Sequence, residues 1–494
     1  MKKIPPSQIQ SDDPHGDTVQ SSERRGSKNG IDLDELLQGP GIGKGHFFMW
    51  SIQFLVGMMH LAVYFTTTIL IPYLRCEWDL DTIFEIAVGS ISPLFITLGG
   101  LVVGNIADQI GRKKVLISTT VLLAAGSVMI AASHNVWMIL VARAMQGMCT
   151  GIGYPVAFVY AAEVTNSNNS KIGIFLVFLG SQLGGLCLYL MSSFLLKEIG
   201  WRLYLIAVLS APFLLIIVGL LLTPETPRYL LARDQRKDAI QSLKKIYHWN
   251  GVAFPDIVDC AHINFADKFT KGESVSGLFH RDFRKLTILL SITFFANLYI
   301  SLGFAAYLPL ATKSPKEMRN LSSTKNASDC DGSLDQEALM DCTIATLGDI
   351  AGCIFTAFLI SKVLDLRIKV VVIILVVLTQ LTSITGFFDL SEILTILFHA
   401  LLRLSVSGLR YLIWLYTAES FPTILRGTAS TFVHAFGDAG GTVGCFLTYL
   451  LYSKSPESVV GLFVGIAWVQ LVASLLAFMT KSGTKGTDRE SLIA

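Results

Sequence analysis

Twelve runs of about 20 mostly apolar residues constrain this chain more than any other feature, because each matches the ~30 Å of hydrocarbon that one helix can cross. The runs fall at 47–71, 84–107, 114–132, 136–160, 171–195, 202–222, 285–310, 341–361, 368–388, 392–416, 427–451 and 457–480. Lipid offers no water to backbone N–H and C=O groups, so each run must satisfy them internally, as a helix. Composition points to the same environment: of 494 residues, 52% are hydrophobic and 15% charged, and mean hydropathy is +0.56. A soluble protein would carry roughly a quarter of its residues charged. The net charge of +2 brings no basic stripe, so nucleic acid is not an expected partner. The eight cysteines contain no CxxC pair, which removes zinc-site and thioredoxin-like readings, and no metal or other cofactor is expected.

An even number of spans puts both termini on one side, and basic residues choose it. Arg112, Lys113 and Lys114 follow the second run, Lys362, Arg367 and Lys369 follow the eighth, and 223–284 is rich in Lys and Arg. The positive-inside rule makes that side cytosolic. The expected layout is a disordered cytosolic tail (1–45), a first six-helix bundle (46–222), a cytosolic linker (223–284), a second bundle (285–480) and a cytosolic tail (481–494). The polar N-terminus lacks the apolar core of a signal peptide. In the linker, Ala239, Ile240, Leu243, Ile246 and Tyr247 recur at helical spacing, the mark of an amphipathic surface helix. The 311–340 loop, on the opposite side, holds the acceptors Asn320 and Asn326, and Cys330 lies near Cys342. Acceptors and a cysteine pair suit an oxidising lumenal or extracellular face, with glycosylation and a Cys330–Cys342 disulfide as the expected modifications.

The two halves repeat. Tyr160-Ala-Ala-Glu163 closes the fourth run and Tyr416-Thr-Ala-Glu419 the tenth, a spacing of 419 − 163 = 256 residues. A basic residue follows each, Lys171 and Arg426, and an intramembrane arginine opens each element, Arg143 and Arg403. The expected fold class is an all-α polytopic membrane protein of twelve transmembrane helices in two six-helix pseudo-repeats. Such duplication is the architecture of alternating-access transporters.

The turn after the second run reads Gly104-Asn-Ile-Ala-Asp108-Gln-Ile-Gly111-Arg112-Lys-Lys114. Its glycines allow a tight bend, and Asp108 can pair with Arg112. The spacing resembles the signature loop of the major facilitator superfamily, departing at Ile106 and Gln109, where leucine and arginine are usual. Arg143-Ala-Met-Gln146-Gly147, Pro224-Glu225-Thr-Pro227-Arg228-Tyr229 and Glu419-Ser-Phe-Pro422-Thr423-Ile-Leu-Arg426-Gly427 resemble further elements of that family. Cys76-Glu77-Trp78 and Gly200-Trp201-Arg202 narrow the likeness to the group joining the synaptic vesicle 2-related proteins to the organic ion transporters. The resemblance implies a cytosolic conformational latch built from Gly104, Asp108, Gly111, Arg112, Glu163, Lys171, Glu225, Arg228, Glu419 and Arg426. The second half's copy, 361–369, has lost both glycines, so the latch should be one-sided.

Ionisable groups inside the bilayer cost ~2.5–3.5 kcal/mol each on insertion scales, which makes them functional by default. Arg143, Asp349, Arg403, Arg410 and Asp438 qualify, with the histidines His60, His399 and His434 as weaker candidates. Asn297, Tyr64, Tyr299, Tyr307 and Trp414 are the expected polar and aromatic lining. Asp438, in Gly437-Asp438-Ala-Gly440-Gly441, resembles the acid with which organic cation transporters bind their cargo, and favours a cation; its competing role is pairing with an arginine. Where vesicle 2-type relatives carry acids in the first helix this chain has His60 and Val63, so coupling through that helix requires His60 to take the acid's place; the expected coupling ion is a proton or none. No nucleophile–base constellation is present, and an enzyme is not expected. The expected function is secondary active transport of a small organic ion by a monomer in the lipid bilayer. The alternative is a non-transporting vesicle protein acting as receptor or trafficking partner. Asp488-Arg-Glu-Ser-Leu492-Ile493 fits a sorting signal for vesicles, with the plasma membrane the other candidate location. The similar Asp32-to-Leu37 stretch reads as a juxtamembrane helix, and Gly39–Gly45 lacks the spacing of a phosphate loop.

Overall fold

The computed structural model describes residues 31–78, 80–166, 169–255, 263–264, 275–280, 283–311, 336–362, 375–379, 392–421, 423–452 and 456–479. Within them the first half contributes α2 (Lys44–Trp78), α3 (Thr82–Ile110), α4 (Arg112–Ala131), α5 (Val136–Glu163) and α6 (Ser170–Tyr204), a π-helical turn (Leu205–Ser210) and α7 (Ala211–Leu222). The second half contributes α10 (Arg284–Ala311), α11 (Gln336–Lys362), α12 (Glu392–Ser420), α13 (Thr423–Tyr452) and α14 (Pro456–Met479). Of the ninth expected run, 375–379 is helical and the rest lies outside the described residues. So do Asn320, Asn326, Cys330 and the 488–493 signal; Cys342, the other expected half of the disulfide, is buried near the start of α11.

The fifth and sixth spans are divided by one residue. Gly200 breaks α6 with φ 73° and ψ 157°, a backbone region open essentially to glycine alone. Trp201 and Arg202 then start the return helix. Arg202 donates to Ser133 O at 2.7 Å and pairs with Glu77 at 2.6 Å, fixing the turn to the ends of α4 and α2. Gly200→Ala, with open space around its new methyl, should cost ~1–3 kcal/mol through backbone strain alone. A melting temperature equal to wild type in detergent would show the turn relaxing around it.

Both halves are assembled by small residues laid against backbone. Gly147 and Gly151 of α5 face the carbonyls of Ser92 and Ile96 on α3, while Gly180 and Gly184 of α6 face Phe54 and Met58 on α2. Gly348 and Gly352 of α11 face Ala400 and Leu404 on α12, and Gly440 and Gly444 of α13 face Phe295 and Tyr299 on α10. Any Cβ at these positions meets a carbonyl oxygen. Helices in lipid gain little from burying apolar surface, so close backbone approach through G-x-x-x-G faces is what holds them. The same pairing in both halves is the structural form of the repeat. Leu214, Leu215 and Val218 of α7, each more than half exposed, face outward as lipid contact requires.

One expectation is corrected. The N-terminal tail, expected to be disordered to residue 45 apart from a juxtamembrane helix at Asp32–Leu37, is structured from residue 31, and that helix is present. Ile31–Asp32 (β1) pairs in parallel with Ile263–Asn264 (β2), and α1 (Leu33–Gln38) follows. Leu33, Leu36 and Leu37 form one apolar stripe that packs on Leu243 of α9 (Arg236–Asn250). Tyr247 donates to Leu36 O at 2.8 Å, and Lys245 to Leu222 O, the open carboxyl end of α7, at 2.6 Å. The amphipathic linker helix therefore has a partner on its apolar side, and Leu36-Leu37 is buried rather than displayed. Together α1, α8 (Pro227–Ala232) and α9 form the linker face.

Candidate translocation site

Mid-depth on the seam between the halves, the charged residues that cost most to bury come together. Asp349 of α11 pairs with Arg403 of α12, Oδ2 to Nη2, at 2.6 Å, with both side chains at most 5% exposed. Arg403 also donates to Ser301 O of α10 at 3.2 Å, and Ser407 Oγ donates to Asp349 O at 2.9 Å. Arg410, two turns along α12, reaches Asp349 Oδ1 only at 4.0 Å. Across the seam the two guanidiniums face first-half rings, Arg403 over Phe65 at 5.6 Å and Arg410 over Phe178 at 5.7 Å. A buried pair recovers its desolvation cost only with close geometry and added hydrogen bonds. Asp349–Arg403 meets that condition. Arg410 at 4.0 Å does not, since a Coulomb attraction of ~4 kcal/mol at that distance falls short of several kcal/mol of desolvation per ion.

Asp438 lies in the same half, on α13, and its partner is neither a cation from outside nor an arginine. His434 Nδ1, one helical turn earlier on α13, is 3.0 Å from Asp438 Oδ2. Gly100 of α3 brings the first half's backbone against this acid. The His434 ring sits among Trp414 (4.8 Å), Phe294 (5.3 Å) and Tyr154 (6.2 Å). Trp414 stacks on Phe158 at 4.8 Å, and Tyr411 packs on Phe178 at 5.5 Å. These aromatics join α5 and α6 to α12 on the linker side of the charges. Towards the opposite face, Tyr64 meets Cys445 at 3.2 Å and Thr97 meets Thr442 at 3.3 Å. A cavity lined by Tyr64, Thr67, Thr68, Gly89, Leu302, Cys445 and Tyr449 has room for roughly one water. The described seam is thus closed on both sides of the charged centre.

Other expected lining residues are placed differently. Arg143 is fully buried and pins α5 to α2, donating to Val63 O at 2.9 Å, to Gln146 at 3.3 Å and to Thr67. Tyr299 packs on Phe463 of α14, inside its own half rather than on the seam. Asn297 donates to Val406 O at 3.0 Å, tying α10 to α12. His60, also buried, bonds Val56 O through Nδ1 at 2.7 Å, lies 6.1 Å from the Tyr154 ring, and would be met at Nε2 by any Cβ on Gly153. Tyr154, Phe158, Phe178 and Tyr411 are seam residues that reading for charge passed over; the Tyr154/Phe158 spacing of four was their signal.

On the linker face the candidate latch residues converge on the first half. Arg112 lies against Glu163 (Nε–Oε2 3.2 Å), donates to Ala107 O at 3.2 Å, and stacks over Tyr229 at 4.9 Å. Thr226 Oγ1 donates to the same Glu163 carboxylate at 2.6 Å. Glu225 accepts from the Lys113 amide at 3.0 Å, satisfying an open N–H at the start of α4 where the helix dipole favours an anion. Burial pushes the Glu225 carboxyl above the ordinary carboxylate range, against the pull of the Lys113 and Thr226 amides and of Arg112. Gly111 is required twice: φ is 105°, and a Cβ would meet Glu225 and Tyr229. Arg228 pairs instead with Asp34 of α1. Lys171 stands exposed in the first turn of α6. Gly104 lies near the end of α3, and the side chains of Asp108, Glu419 and Arg426 lie outside the described residues.

The model of the Major Facilitator Superfamily matches residues 53–445. The chain belongs to this superfamily. It is 26% identical over 463 residues to the synaptic vesicle 2-related protein of Rattus norvegicus, covering 92% of this chain and 81% of that one. The candidate niacin/nicotinamide transporter NiaP of Bacillus subtilis (strain 168) is 26% identical over 425 residues, 85% of this chain and 92% of that one. Among solved structures, the partially occluded inward-open xylose transporter XylE from E. coli aligns at a TM-score of 0.64 and 15% identity, over 89% of this chain and 99% of that one. At that identity it shows the fold alone, which is the twelve-helix major facilitator fold read from the sequence. Superfamily membership makes the chain a multi-pass membrane transporter and leaves the cargo to the seam.

Proposed function

We propose that this chain is a secondary active transporter that moves a small organic ion by alternating access, the two halves rocking about the seam. One observation carries it: the most expensive buried charges, Asp349, Arg403, Arg410 and Asp438, gather at mid-depth beside residues contributed by the opposite half. A receptor or trafficking protein has no need for charge there, which disfavours the alternative. The name of NiaP, which gives a small pyridine carboxylate or its amide as cargo, supports a substrate of that size. In this reading the linker face and both termini are cytosolic, 223–284 joins the bundles 46–222 and 285–480, and the protein works as a monomer in a vesicle or plasma membrane. A coupled proton would be exchanged at the His434–Asp438 pair or at His60. An organic cation, favoured by the sequence around Asp438, would have to displace His434 from the acid.

Uptake into proteoliposomes bearing the full-length chain, screened over organic cations and anions with and without a pH gradient, tests the proposal. Saturable uptake is expected, and Trp414→Ala should reduce it roughly tenfold, since an aromatic pair contributes ~0.5–1.5 kcal/mol beyond its buried area. No uptake of any ion in a well-folded preparation would leave the receptor reading standing.

A further inference from the structure

Among the described residues, the membrane interior buries Arg143, Arg403 and Arg410 against Asp349 and Asp438. Three positive charges against two negative leave an excess of one. Arg75–Glu85 and Arg112–Glu163 are separate, self-neutral pairs near the ends of the helices. The excess can be located. Arg143 has four acceptors on α2 and α5, and Arg403 has Asp349 and Ser301. Arg410 makes no hydrogen bond among the described residues although it is only 9% exposed; its Nε is sealed from solvent without an acceptor. Asp349 compensates it only in part: Oδ2 is engaged at 2.6 Å by Arg403, and Oδ1 stands 4.0 Å from Arg410, beyond hydrogen-bond reach.

A guanidinium offers five donors in a planar fork that matches a carboxylate, and leaving such a group buried and unbonded is among the costliest arrangements a protein keeps. Its surroundings describe the missing acceptor. Phe178 faces Arg410 from the first half, Tyr411 lies on Phe178, and Phe175 lies on Tyr411 at 6.0 Å, giving an apolar, aromatic wall. An excess of one charge matches a monoanion, whereas a phosphate dianion would overshoot it. Resting on the transporter reading above, we infer that Arg410 is the cargo's anion-binding residue, and that the cargo is a small monocarboxylate whose apolar body lies against Phe178 and Tyr411. The Asp349–Arg403 pair then positions Arg410 and keeps the acid from competing for it.

Thermal melting of the full-length protein in detergent tests this with three probes of one shape: benzoate, benzamide and benzylammonium. A series of straight-chain monocarboxylates extends the anionic arm. At least one carboxylate should raise the melting temperature saturably, and benzamide and benzylammonium should not. Arg410→Met should raise the ligand-free melting temperature, because an unpaired buried charge is removed, and weaken carboxylate binding roughly tenfold or more. Arg410→Lys keeps the charge without the fork and should bind weakly while folding normally. The inference is overturned if no carboxylate stabilises the protein, if benzylammonium does so instead, or if Arg410→Met and Arg410→Lys bind as wild type does. Uptake assays separate the two readings. Arg410-dependent binding with no uptake removes transport and leaves the anion site, and saturable amine uptake indifferent to Arg410→Met does the reverse.

Discussion

Asp349→Asn destabilises the protein by about 3–5 kcal/mol, the range found when one partner of a buried ion pair is removed. The acid is only 2% exposed and stands between two arginines, at 2.6 Å from Arg403 and 4.0 Å from Arg410. Its loss leaves two buried like charges without the acid between them. Arg403→Gln is expected to cost less, because Asp349 still has Arg410 as a charge partner at 4.0 Å. The Asp349→Asn/Arg403→Gln double variant should recover part of the loss. Melting temperatures of the four purified proteins in one detergent form the double-mutant cycle. If Asp349→Asn proves no worse than Arg403→Gln, the acid is not the centre of the cluster.

Much of this was legible before the fold was known, for a physical reason. The bilayer filters sequences by length and polarity, so helix number, the repeat and the buried charges declare themselves. The His434–Asp438 pair was readable too, since residues four apart share a helix face. Asp349–Arg403 was not, because the partners lie on different helices and nothing in a one-dimensional pattern brings α11 to α12. Tyr299 and Trp414 illustrate the same limit. Helices surrounded by lipid and protein are apolar all round, so hydrophobic periodicity does not say which side faces the seam. The G-x-x-x-G faces at Gly147/Gly151, Gly180/Gly184, Gly348/Gly352 and Gly440/Gly444 did carry that information. They mark the sides turned inward within each half, and so by exclusion the sides left for the seam. The juxtamembrane helix read at 32–37 is α1, but its partner was hidden: six residues of helix are too few to stabilise themselves, and Leu243 supplies what the local sequence lacks.

Glu163→Gln should lower both melting temperature and transport rate, while its neighbour Glu225→Gln should leave stability unchanged or raise it. The two acids sit in one cluster and differ in what they hold. Glu163 is the charged partner of Arg112, whose side chain is 6% exposed, and it also receives Thr226 Oγ1. Neutralising it leaves a desolvated guanidinium among carbonyls, a loss of about 3–5 kcal/mol. Glu225 mainly accepts backbone amides, a task that the side-chain oxygen of glutamine also performs. Its folded pKa is raised by burial, so the folded state favours the protonated form. Ionisation therefore subtracts stability as pH rises above the ordinary carboxylate range, and an amide removes that cost. At neutral pH the Glu163 variant should melt lower than wild type and the Glu225 variant should not. In mild acid the gap between wild type and Glu225→Gln should close as Glu225 takes up its proton. Equal destabilisation by the two substitutions would mean that charge, rather than the Arg112–Glu163 bond, holds the ends of α4 and α5 together.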